Sequence, residues 1–185
     1  MLGQPILSGG GQILLGILVA IAAVYDIRYR RIPNWLVLAG ILVGFAWNIF
    51  SLSGLGPGRA AAGLGLGFIL YFPLWLLRAR GAGDVKLLAA VGAITGPGNC
   101  FLVFILTAIL GGVIALVMLL MRGRVRHTFF NVAWMMREML QFRAPYKSNE
   151  ELDVKSAKGM RLPHAAMIAV GAVAFIIMAQ YKVSI

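Results

Sequence analysis

Six acidic side chains occur in this 185-residue chain: Asp26, Asp84, Glu138, Glu150, Glu151 and Asp153. The last four fall in one polar stretch. That leaves Asp26 and Asp84 standing alone, each at the edge of an apolar run and each with arginine or lysine close by in the sequence. A carboxylate beside lipid is costly and is rarely kept without a role. Two carboxyl groups brought together can share one proton, because both do not readily ionise at short range. The ionised member can take a proton from water as the water attacks a peptide carbonyl, while the other protonates the departing group. Such a pair needs no cofactor and no metal. Neither Cys100 nor His164 has a companion cluster of His or Cys that would suggest a metal site.

Each acid also has a plain structural reading. Asp84 can cap a helix that begins beside it, accepting bonds from free N–H groups at the positive end of the dipole. Asp26 can close an apolar helix together with Arg28, Arg30 and Arg31 as a boundary signal. Their occurrence as a pair favours chemistry, provided that the elements carrying them bring both to one side.

Those elements follow from composition. With 61% hydrophobic and 12% charged residues, the chain is far from soluble proteins, in which roughly a quarter of residues are charged. An all-α, polytopic membrane protein is expected, as one membrane-embedded domain over 1–185. The net charge of +11 does not indicate nucleic acid, since the basic residues fall in short loops and build no continuous stripe. A span needs about 20 apolar residues to cross roughly 30 Å of hydrocarbon. Helices are expected near 6–25, 34–52, 60–78, 98–121 and 163–181, the first retained as a span because no positive charge precedes Tyr25.

The stretch 84–96 is shorter; at about 1.5 Å per residue it reaches only some 20 Å. It either crosses as a tilted short helix or dips in and returns. Lysine and arginine in short loops stay cytoplasmic, and this decides the matter. If 84–96 crosses, 15 of the 17 basic residues lie inside, leaving Arg59 and Lys182 outside. If it does not, seven lie inside and ten outside. Six crossings are therefore expected, with both termini outside and with Asp26 and Asp84 both at the cytoplasmic boundary.

Gly63 and Gly67, four apart, suit close approach of another helix better than a dinucleotide loop, because no strand precedes them. The loop 122–162 carries Phe129, Val132, Ala133, Met136, Met139 and Leu140 at helical spacing among arginines. A cytoplasmic interfacial helix on anionic lipid headgroups is expected there.

Two motifs carry a resemblance to a known family. Gly81-Ala-Gly83-Asp84-Val-Lys86-Leu-Leu88 is similar to the G-x-G-D-x-K-L signature of type IV prepilin peptidases, which are membrane aspartic proteases. Asp26-Ile-Arg-Tyr-Arg-Arg31-Ile-Pro33-Asn34 resembles their first-aspartate motif, an acid followed by basic residues and I-P-N. Arg161-Leu-Pro163-His164-Ala165-Ala166 is similar to the segment before the family's last span, with His164 and Ala165 where tyrosine and glycine are usual. The resemblance covers most of the chain in order. It implies an inner-membrane endopeptidase with Asp26 and Asp84 as the catalytic pair, removing a short leader from a pilin-like precursor at the cytoplasmic face. With one cysteine and no paired C-x-x-C motifs, the chain resembles the short form serving tight-adherence pili, in which methyl transfer is not expected.

Supporting roles follow for the motif residues. Gly81 and Gly83 would allow positive φ or close approach before Asp84. Lys86, two positions from Asp84, would point elsewhere and meet headgroups. Pro33 would sit in the first turn of the second span, followed by Asn34. From the helix directions Asp84 faces an N-terminal end and Asp26 a C-terminal end, which would make Asp26 the proton holder. Two other function classes use the same acids. A transporter or proton relay would place an acid nearer mid-bilayer and show an internal repeat. A non-catalytic scaffold would use both acids as caps.

Overall fold

A computed structural model of the chain describes residues 7–51, 54–76, 81–121 and 164–183. The expected amphipathic helix of 122–162 lies outside the described residues. What is described consists of helices: α1 (Gly9–Tyr29), α2 (Asn34–Phe50), α3 (Pro57–Leu76), α4 (Ala82–Met121) and α5 (His164–Val183).

Local sequence accounts for the breaks between them. Pro33 is extended at φ −68°, ψ 137° and precedes the first helical residue of α2, because a proline there cannot extend the helix backwards. Pro57 occupies the first position of α3, where its missing donor is harmless. Pro33 thus stands one residue before the first turn in which it was expected.

α4 is two helices joined at Gly96, whose φ of 74° and ψ of 172° lie in a region open essentially to glycine alone. Pro97 follows it. The chain reverses here: Cys100 Sγ lies 3.9 Å from the carbonyl oxygen of Leu88, whereas twelve residues of unbroken helix would separate them by about 18 Å. The first half, 82–95, therefore runs into the bundle and the second, 97–121, runs back. The break falls where the sequence separates 84–96 from 98–121.

The inward-running half lies at the centre of the molecule. Leu87, Leu88, Ala90, Val91, Ala93 and Ile94 have almost no accessible surface. It is reached through glycines. A methyl at Gly63 would overlap the carbonyl of Gly92, and one at Gly67 the carbonyl of Leu88, so the expected close approach at this pair is borne out against α4. On α2, a methyl at Gly44 would come within 2.8 Å of the Ile94 side chain. Backbone-close packing of this kind is what holds helices together where lipid removes the hydrophobic incentive.

Large apolar side chains meanwhile cover the outer faces. Ile13 and Ile17 of α1, Leu38 and Leu42 of α2 and Ile69 of α3 are about half exposed or more, the reverse of a water-soluble bundle. α1, α3, α4 and α5 are long and apolar enough to cross a membrane, and α2 is a shorter apolar helix.

At the Gly96 end, buried Asn48 fastens the turn. Its amide donates to the carbonyls of Gly44 and Ala93 at 2.9 Å, and its oxygen accepts from the Leu55 N–H at 2.8 Å. The α2–α3 connection is thereby tied to the last turn of 82–95, at the end of the molecule opposite Asp84.

Candidate active site

Asp26 lies inside α1, one turn before its end, and not beyond it as the expected boundary at residue 25 implied. The N–H of Arg30 closes that turn on the Asp26 carbonyl at 2.9 Å, with Arg30 in the left-handed region at φ 51°. A non-glycine residue is uncommon there.

The carboxylate of Asp26 looks across to α5, where the Ala165 N–H donates to Oδ2 at 2.8 Å. The Ala166 amide and the Arg30 guanidinium also act on this carboxylate. The first N–H groups of a helix have no partner within it, so the start of α5 supplies donors that the sequence of α1 cannot. The expectation built on helix directions weighed only the helix that carries each acid. Asp26 stands between the C-terminal end of its own helix and the N-terminal end of another, and the two dipoles oppose each other at that point.

Asp84 sits in the first turn of α4, which begins at Ala82, and is buried, with 7% of its surface exposed. Its own N–H donates to the Gly81 carbonyl at 3.2 Å. A methyl placed on Gly81 would lie 3.5 Å from Asp84 Oδ2, and one on Gly83 would lie 3.4 Å from the Ile32 side chain. Of the two alternatives for Gly81 and Gly83, positive φ is absent, since among the described glycines only Gly56 and Gly96 have it. What these two glycines provide is closeness to Asp84 and to the α1–α2 linker.

Lys86 is exposed and has a partner within the protein. Its Nζ donates to Asn34 Oδ1 at 3.1 Å, joining the start of α4 to the start of α2. Asn34 follows Asp26 by eight residues, Gly83 lies beside Ile32 in the linker between them, and Ala165 is in the first turn of the last helix. Asp26, Pro33, Asn34, Gly81, Gly83, Asp84 and Lys86 thus gather at one end of the bundle. Asp26 and Asp84 are the only acidic residues among those described, and no three His, Cys, Asp or Glu side chains cluster among the described residues.

One participant escaped the sequence reading. The segment 161–166 departs from the family's pattern in its side chains at His164 and Ala165. The contact to Asp26 is made by backbone N–H, which His or Tyr, Ala or Gly supply alike. The legible signal was the helix start itself.

No solved structure matches the chain. The prepilin leader peptidase/N-methyltransferase of Xanthomonas campestris pv. campestris is 27% identical over 128 residues, which are 65% of this chain and 44% of that protein, so the chain spans under half the length of the curated relative it matches. A family model described as the type IV leader peptidase family matches residues 13–116, a stretch holding both aspartates and running from α1 into the second half of α4. More than half of the chain fits that description, and the protein belongs to the type IV leader peptidase family.

Proposed function

We propose that the protein is a membrane aspartic endopeptidase that removes the leader from type IV pilin-like precursors, with Asp26 and Asp84 as its catalytic pair. The observation carrying this reading is that the two acids described, 58 residues apart in sequence, share one end of the bundle within the family-matched stretch.

One carboxylate, ionised, accepts a proton from water, whose oxygen bonds to the scissile carbonyl carbon. The other, protonated, delivers its proton to the leaving nitrogen as the C–N bond breaks. The Ala165 N–H holds Asp26 in orientation, and burial of Asp84 keeps bulk water from competing. The chain crosses the inner membrane six times, counting 82–95 and 97–121 separately. The arginine and lysine distribution then puts the aspartate end at the cytoplasmic face, where the precursor's leader is cut before its own apolar helix.

The test is cleavage of a pilin precursor by purified protein in vesicles. Asp26→Asn and Asp84→Asn should each lower the rate by roughly 10²–10⁴-fold or more, with helix content and membrane insertion unchanged. Normal processing by either variant would end the proposal. The same variants separate it from transport, which would fail without any link to cleavage, and from a scaffold, which would show no cleavage at all.

A further inference from the structure

α1 touches α4 only sparsely; its principal neighbour is α5, while α4 is flanked by α2, α3 and α5. Direct packing between their own two helices therefore does little to set how Asp26 and Asp84 stand to one another. The short route between the two acids runs through the α1–α2 linker and the start of α2, and the Lys86–Asn34 bond closes that route.

The bond lies on the exposed surface, where such a contact contributes little to folding. Its acceptor is a neutral amide, so the bond leaves the lysine charge uncancelled and specifies position instead. Beside it, Gly83 admits the Ile32 side chain against the backbone of the same first turn of α4. One hydrogen bond and one close backbone approach thus bring the linker after Asp26 beside the turn that carries Asp84.

Resting on the peptidase reading above, we infer that Asn34 and Lys86 form a positioning pair, whose bond fixes the first turn of α4 against the α1–α2 linker and so keeps Asp26 and Asp84 in one relative placement during cleavage. Neither residue reacts. Misplacement of groups by such small amounts is costly to rate and nearly silent in stability.

The experiment compares Asn34→Ala, Lys86→Ala and the double variant with Asn34→Asp and Lys86→Arg, which keep acceptor and donor. Each alanine variant should lower kcat roughly three- to tenfold, leave KM within about twofold, and leave the unfolding midpoint unchanged. The double variant should be no worse than the poorer single one, as expected for partners in one interaction, and the conservative variants should recover most of the loss. Wild-type kcat in either alanine variant, or multiplying effects in the double, overturns the pair.

Wild type and Asp84→Asn in the same assay report separately on the peptidase reading. Spin labels on exposed Leu38→Cys and Ala82→Cys decide the pair without any cleavage. Lys86→Ala should broaden the distance distribution between them, and an unchanged distribution overturns the positioning pair whatever the assay shows.

Discussion

The hydrogen bond from the Ala165 N–H to Asp26 makes a residue without a functional side chain part of the candidate site. A hydrogen bond to an ionised group is worth about 1.5–3 kcal/mol, and proline is tolerated in a first helical turn while lacking the donor. Ala165→Pro should therefore lower cleavage about tenfold or more with helix content preserved, measured by precursor processing beside circular dichroism; full activity would show that the amide is not needed. Ala165→Gly, which keeps the N–H, should retain activity. The two acids were legible in the sequence because so few others exist and both fringe apolar runs. The amide was not, since a backbone donor leaves no mark in residue type, nor was the Lys86–Asn34 bond, whose partners lie 52 positions apart.

At the level of elements, glycine decides which helices can meet. Gly63 accepts the Gly92 carbonyl where a Cβ would sit, so Gly63→Leu should separate α3 from the centre and destabilise by about 1–3 kcal/mol or more, read by denaturant unfolding in detergent, whereas Phe68→Leu on the exposed face should be close to neutral. At the reversal, Gly96→Ala must hold a Cβ at φ 74° and within 2.8 Å of Leu55; about 1–3 kcal/mol is expected for the backbone alone, with the same measurement. The positions of the helices were legible to within a few residues because apolar runs and prolines mark them. Hidden from the sequence was the ranking of the helices. The shortest apolar stretch, which length alone made doubtful, is the one buried on nearly every side, since being enclosed by protein removes the need to match lipid thickness.

Sidedness is a property of the molecule as a whole. If the aspartate end is cytoplasmic, cysteines placed at Lys147 and at Arg59 should label with opposite preference when a membrane-impermeant reagent is added to intact cells: Arg59→Cys should react and Lys147→Cys should be protected until the membrane is opened. The reverse pattern would invert the orientation and place cleavage outside.

The buried inward-running half of α4 has a bearing on how the protein senses its lipid surroundings. Thickness of the hydrocarbon layer acts on helices that present side chains to acyl chains, and here those are the outer faces of α1, α2, α3, α5 and the second half of α4. Asp84 rides on a rod enclosed by the surrounding helices, so its depth is set by protein neighbours. A bilayer that grows or thins is met first by tilting at the periphery, while the Asp84 end of the central rod keeps its level relative to the linker it is bonded to.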